Sequence, residues 1–160
     1  LGHIANAVDG VSIHYADLDG FPHAGVSGHK ASLTIGDLEG VRVAVFGGRS
    51  HYYESGRGDA MRFPLEVLQN LGADTMVATN AAGSMHQEMP TGSIMNLSDH
   101  INFSGLNPLI GEPTDRRFVP MKDCYNPDIR AAMRDAAVAE DVEMHAGVSA
   151  WYSGPSFETV

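Results

Sequence analysis

The sequence contains little of what several protein classes require. It has one cysteine, Cys124, in 160 residues, which excludes an intrachain disulfide and favours an intracellular protein. No apolar run approaches the roughly 20 residues that a membrane-spanning helix needs, and no signal peptide is visible. Lys and Arg total 10 against 20 Asp and Glu, and the net charge of −10 disfavours nucleic acid and anionic membranes as partners. We therefore expect a cytoplasmic protein in which any anion site is a local concentration of donors.

The length of 160 residues suits one domain with one core. The chain begins at Leu1 rather than at a methionine and stops at Val160, where a further element is starting. We expect a single α/β domain over residues 1–160 that is incomplete at both ends and belongs to a longer protein.

Hydrophobic periodicity and turn residues predict alternating strands and helices. The predicted elements are a hairpin over 32–46, a helix over 60–71, a short buried strand running into a small-residue turn over 75–84, a strand over 93–103, a helix over 126–142, a strand over 145–152 and the start of a helix over 153–160. This alternation predicts an α/β fold with a central, mostly parallel or mixed, twisted sheet flanked by helices.

Three polar clusters follow predicted strands: "GGRSHYYESG" at 47–56, "TNAAGS" at 79–84 and "SGPSFET" at 153–159. In α/β sheets, ligands bind beyond the carboxyl ends of the strands. The clusters are therefore the candidate site, although each has an ordinary structural interpretation as well.

Arg49 and His51 stand two residues apart, so in an extended segment their side chains point the same way. A guanidinium and an imidazole beside glycine amides suit an oxyanion such as phosphate, but a surface loop with a solvated arginine is the more common explanation of such a cluster taken alone. The small residues around Ala81 allow close approach of a ligand to the backbone or merely tight packing. The chain has no GxGxxG, no Walker sequence and no metal-ligand spacing, and we propose no metal.

The segments "GRSHYYESG", "TNAAGS", "DHINF", "GLNPLIG" and "SGPSFET" occur in this order, with "VSGHKA" upstream. Together they make the chain resemble the trimeric, low-molecular-mass class of purine nucleoside phosphorylases over essentially its whole length. The resemblance implies a glycosyltransferase of purine salvage that converts a purine ribonucleoside or deoxyribonucleoside and phosphate into free base and pentose 1-phosphate. It also implies a homotrimer, with phosphate as co-substrate and no cofactor.

The resemblance carries over a phosphate site. Arg49 and His51 resemble its phosphate ligands, and His29 resembles a loop histidine that closes over the same anion. Ala81 resembles the residue whose backbone N–H donates to phosphate. Glu54 resembles a glutamate that orients the phosphate-site histidine, so His51 and Glu54 are the expected catalytic pair.

It also carries over a nucleoside site. Tyr53 resembles a sugar contact, and Phe118 resembles an aromatic residue lent to the neighbouring subunit's sugar pocket. Asn80 is expected at the nucleoside as well, and Phe157 resembles the ring against the purine. Glu158 resembles the carboxylate that accepts N–H bonds from a 6-oxopurine; adenine lacks the N1–H donor, so inosine and guanosine are the expected substrates.

The chain also departs from the family pattern. Only Leu1 and Gly2 remain of the turn that holds the family's phosphate-binding serine, and its base-protonating asparagine would lie beyond Val160. Ser149 replaces a tyrosine of many members, and Tyr152 resembles the branch that also accepts xanthosine. The alternatives are thus a xanthosine-accepting relative, a methylthioadenosine-cleaving relative, which a carboxylate at position 158 disfavours, and a non-catalytic nucleoside- or phosphate-binding fragment.

Overall fold

The computed structural model describes residues 2–22 and 30–157. The chain divides into two compact units, one made of Leu1–Thr79 with Gly154–Val160 and the other of Asn80–Ser153. Helices and strands occur in both units, so the predicted α/β class is confirmed. Within the described ranges, every helix is too short or too polar to cross a bilayer.

The first unit contains a three-stranded antiparallel sheet in the order β1-β2-β3. Its strands are β1 (Asp9–His14), β2 (Ser32–Leu38) and β3 (Val41–Phe46). The predicted hairpin is confirmed, because β2 and β3 pair in an antiparallel arrangement. Both residues of the connecting turn, Glu39 and Gly40, have positive φ angles, of 51° and 81°, as a two-residue hairpin turn requires. Strand β1 was not predicted.

The described part of the first unit contains the α-helices α1 (Gly2–Ala7), α2 (Tyr52–Ser55) and α3 (Arg62–Asn70). Helix α3 confirms the prediction over 60–71, with Pro64 in its first turn, where a missing N–H costs no helical hydrogen bond. Gly72 follows the helix with a φ of 99°, a left-handed conformation that glycine adopts without strain.

An aromatic core fills the first unit. Tyr15, Phe21, Leu33 and Leu68 are buried, and Phe46 packs against them. The ring of Tyr15 lies 5.7 Å from that of Phe21 and 6.4 Å from that of Phe46, distances at which aromatic pairs attract each other. The end of β3 is therefore packed directly on the core.

The second unit contains two parallel strands, β4 (Ile94–Asn102) and β5 (Met144–Trp151), and the intervening helix α4 (Pro127–Ala139). All three elements were predicted. Asn126 begins α4 as expected, since its side-chain oxygen accepts the backbone N–H groups of residues 128 and 129. The buried amide of Asn96 in β4 donates to the carbonyl of Arg130 at 3.0 Å and ties the helix to the strand.

The short buried strand predicted at the start of residues 75–84 is wrong. These residues are exposed and have no strand structure. A strand requires a neighbour that completes its ladder of hydrogen bonds, and among the described residues no strand pairs with this segment. Residues 153–157 contain no helix, and residues 158–160 lie outside the described residues, so the helix expected there remains a prediction.

Candidate active site

The loop Gly47–Gly56 begins where β3 leaves the core. The N–H of Gly47 donates to the carbonyl of Ser32 at 2.8 Å. A Cβ at Gly47 would lie 2.7 Å from the carbonyl oxygen of Lys30, so only glycine fits at this close approach. Gly48 is buried, and its carbonyl accepts the hydroxyl of Tyr15 at 2.5 Å. The base of the loop is thus held on both sides.

His51 and Glu54 form a coupled pair inside this loop. One carboxylate oxygen of Glu54 accepts both the backbone N–H of His51, at 2.6 Å, and its ring Nδ1, at 2.9 Å. An ionised carboxylate only accepts, so this contact favours the tautomer that carries its proton on Nδ1. The ring of Tyr53 stacks on the imidazole with 5.0 Å between centroids. Both contacts hold the orientation of the imidazole.

The side chain of Arg49 reaches from the same loop to Thr79, the last residue of the first unit before the second unit begins. Its Nη1 donates to the carbonyl of Thr79 at 2.7 Å. A guanidinium carries five N–H groups in a rigid fork, so one such bond orients the group without exhausting its capacity for an anion. Thr79 directly precedes Asn80, the first residue of the small-residue turn.

The "SGPSFET" cluster approaches this loop at Gly154. A Cβ built on Gly154 would lie 3.9 Å from Cδ1 of Tyr53, an ordinary contact distance. Phe157, three residues later, is 92% exposed. Two of the three predicted clusters are therefore neighbours, although Glu158 and His29 lie outside the described residues.

The remaining candidates belong to the second unit. Asn80 donates its side-chain amide to the carbonyl of Ala81 at 3.2 Å, and Ala81 is exposed. Phe118 is 71% exposed, with the guanidinium of Arg117 5.0 Å from its ring centroid. The roles of these residues remain predictions. Within the described ranges, no group of His, Cys, Asp or Glu side chains is suited to hold a metal ion.

Two residues shape the loop in ways that the sequence did not predict: Tyr15, and Thr79, which opens the "TNAAGS" cluster but acts through its backbone. Tyr15 lies 33 residues before its partner Gly48, and Thr79 contributes only a backbone carbonyl. Neither position stands in a local pattern that marks such a role. Only the pairing of strands and the packing of the core bring them to the loop.

Comparisons with known proteins identify the family of this chain. The model of the phosphorylase superfamily matches residues 2–160. Purine nucleoside phosphorylase 1 of Geobacillus stearothermophilus is 38% identical over 164 residues, which cover 99% of this chain and 60% of that protein. The chain spans about 60% of the length of this relative and of purine nucleoside phosphorylase 1 of Bacillus subtilis.

Solved structures show the same similarity. Purine nucleoside phosphorylase of Schistosoma mansoni in complex with inosine is 32% identical with a TM-score of 0.89, covering 98% of this chain and 58% of that one. Isoform 2 from the same organism, in complex with cytosine and ribose-1-phosphate, is 28% identical with a TM-score of 0.90, covering 99% and 59%. The chain therefore belongs to the phosphorylase superfamily, and it is similar to purine nucleoside phosphorylases within that family.

Proposed function

We propose that the protein containing this chain catalyses phosphorolysis of purine ribonucleosides and deoxyribonucleosides. The observation that carries this proposal is the Glu54–His51 pair on the loop that also bears Arg49. An oriented imidazole and a guanidinium fork form a local anion site in a chain whose net charge is −10. Membership in the phosphorylase superfamily, and a relative solved with ribose-1-phosphate, support the same chemistry.

In the proposed reaction, a phosphate oxygen forms a bond to the anomeric carbon while the N-glycosidic bond breaks. The bonding electron pair leaves with the purine, which takes up a proton as it departs. Arg49, His51, His29 and the N–H of Ala81 hold the phosphate beneath the sugar, so the attack is effectively intramolecular. Glu54 keeps the His51 ring in place, and inorganic phosphate is a co-substrate in a reaction without a cofactor.

The sugar and the base contact a second set of residues. Tyr53, whose ring is stacked on His51, contacts the sugar from the phosphate side, and Asn80 contributes from the small-residue turn. Phe157 packs on the purine, and Glu158 accepts the N1–H of a 6-oxopurine. A buried carboxylate left without that donor costs free energy, so inosine and guanosine are preferred over adenosine.

The exposed ring of Phe118 supports assembly as a homotrimer, in which it completes the sugar pocket of a neighbouring subunit. A large aromatic side chain that is 71% exposed gains free energy when a partner covers it. We place this trimer in the cytoplasm, in agreement with the single cysteine of the chain.

A substrate panel tests the proposal directly. Inosine, guanosine, xanthosine and adenosine are each incubated with the natural-length protein, with and without phosphate, and release of the free base is measured. We expect hypoxanthine and guanine to appear only with phosphate, together with equimolar pentose 1-phosphate.

Other outcomes of the panel separate the alternatives. Base release without phosphate contradicts phosphorolysis. Efficient cleavage of xanthosine supports the xanthosine-accepting alternative, in which Tyr152 shapes the base pocket, and efficient cleavage of methylthioadenosine in an added assay rejects the role of Glu158. Nucleoside binding without any turnover identifies a non-catalytic binding protein.

A further inference from the structure

Tyr15 is the most buried aromatic side chain of the first unit and is anchored at two points. It is 2% exposed and lies in the single 3-10 turn that follows β1. Its backbone N–H donates to the carbonyl of Ala31 at 2.8 Å, and its hydroxyl donates to the carbonyl of Gly48 at 2.5 Å. The tyrosine therefore links the start of the sheet to the base of the anion loop.

The surrounding rings determine where this hydroxyl points. Phe21 and Phe46 flank Tyr15 with centroid distances of 5.7 and 6.4 Å. A ring packed in this way loses little further freedom when its hydroxyl makes a hydrogen bond. Phe46 is the last residue of β3, and Gly48 follows it by two residues. Tyr15 therefore packs against the end of the strand with its ring and donates a hydrogen bond to the loop with its hydroxyl.

The hydrogen bond from Tyr15 orients the peptide unit between Gly48 and Arg49. The carbonyl of Gly48 and the N–H of Arg49 belong to one planar group, so a fixed carbonyl direction fixes the direction in which the Arg49 backbone starts. Gly48 is buried, and a buried carbonyl that loses its donor is unfavourable. Without the hydroxyl, rotation of this peptide toward another donor becomes favourable, and that rotation displaces Arg49.

We propose that Tyr15 is a positioning residue for the anion site, holding the Gly48–Arg49 peptide plane so that the guanidinium is pre-oriented for phosphate. The inference rests on the proposed function, because it assigns the anion of Arg49 as phosphate. Burial raises the pKa of the Tyr15 hydroxyl above its ordinary value, so the group remains a protonated donor at neutral and mildly alkaline pH.

The test compares two substitutions that each remove one hydroxyl from the same unit. Tyr15→Phe removes the donor to Gly48, and Thr34→Val removes the buried hydroxyl that donates to Oγ of Ser12 at 3.2 Å, between β2 and β1. We expect Tyr15→Phe to raise KM for phosphate about 3- to 10-fold, the size expected for one buried hydrogen bond. The nucleoside KM and kcat should change less than about twofold, and Thr34→Val should leave the phosphate KM unchanged.

Two further measurements keep the test decisive. Calorimetric titration with inorganic phosphate alone should show the same weakening for Tyr15→Phe. Replacing Tyr15 by 4-aminophenylalanine, which restores an N–H donor on a ring of similar shape, should return the phosphate KM toward that of the wild type. The rescue shows that the effect depends on the donor to Gly48, and an unchanged nucleoside KM separates positioning from a general loss of stability.

The outcomes distinguish the two proposals. If the wild-type protein shows no phosphate-dependent cleavage, the proposed function is wrong. If it does, but Tyr15→Phe changes the phosphate KM no more than Thr34→Val, Tyr15 does not position the site. Equal losses in phosphate and nucleoside KM, or failure of the 4-aminophenylalanine rescue, also overturn the inference.

Discussion

The two polar segments Gly47–Gly56 and Asn80–Ser93 differ in what holds them. The first is bonded to distant residues, since Gly48 accepts from Tyr15, 33 residues away, and Arg49 donates to Thr79, 30 residues away. The second contains hydrogen bonds between close neighbours in sequence. Ser84 and His86 bond to each other, and the N–H of Ser93 donates to the carbonyl of Pro90 at 3.0 Å.

The two segments differ in when they lose conformational entropy, during folding or on ligand binding. Bonds to residues far away in sequence form when the protein folds, so the groups of the first segment are in place before a ligand arrives. Bonds within three residues restrict a segment much less, and its groups gain their final arrangement on binding, which weakens affinity. We therefore expect the loop Gly47–Gly56 to supply most of the binding free energy for phosphate, and the segment after Thr79 to supply less.

The largest expected effect is that of Arg49→Met. In the proposed site the guanidinium makes two charge-assisted hydrogen bonds to phosphate. Their loss should raise KM for phosphate on the order of 1,000-fold. The measurement is KM for phosphate at saturating nucleoside, with nucleoside affinity determined separately.

Arg57→Met is the matched control for Arg49→Met. Arg57 is exposed and bonds the carboxylate of Asp59 through Nε and Nη2, both at 3.1 Å. Both substitutions remove one positive charge from a chain of net charge −10, so they change the overall field equally. Similar losses in the two variants indicate a long-range electrostatic effect and contradict a phosphate contact by Arg49.

A smaller effect is expected for Glu54→Gln. The amide oxygen can still accept the backbone N–H of His51, but the charge that holds Nδ1 is lost. We expect kcat/KM to fall about 10- to 100-fold, since a charge-assisted hydrogen bond becomes a neutral one. Nitrogen NMR of the labelled imidazole should show Nδ1–H in the wild type and a mixture of tautomers in the variant.

Glu66→Gln provides the corresponding control on α3. Glu66 accepts from Nε of Arg62 at 2.9 Å, so the change again converts one paired carboxylate into an amide. Its activity should match that of the wild type. An unchanged His51 tautomer in Glu54→Gln, with activity retained, contradicts the positioning role of Glu54.

Much of the fold was predictable because its signals are local. The turn over Glu39 and Gly40, the Asn126 cap of α4 and Pro64 in the first turn of α3 each depend on residues within four positions. The loop Gly47–Gly56 was also recognisable as a candidate anion site. Its internal pair of His51 and Glu54 is again a local arrangement, three residues apart.

Features that depend on distant partners could not be predicted in the same way. The apolar residues Met76 and Val77 are typical of a strand, yet both are exposed because no neighbouring strand is paired with them in the described residues. The role of Tyr15 depends on the register that places β1 beside β2 and on the aromatic core. The sequence around Tyr15 predicts neither the burial of its ring nor which carbonyl its hydroxyl meets.

The smallest expected effect concerns the backbone amides of the two segments, measured by hydrogen exchange with and without phosphate. The N–H of Gly47, bonded to Ser32, and that of Gly56, bonded to Tyr52, should be protected before phosphate is added. The N–H of Ala81 should exchange rapidly and become about tenfold more protected at saturating phosphate, because the bound anion accepts from it. Sodium chloride at the same ionic strength controls for salt. Protection of Ala81 without phosphate would remove the contrast between the segments. Persistent rapid exchange in a phosphate-dependent enzyme would reject Ala81 as a donor and leave the anion to the loop of Arg49 and His51.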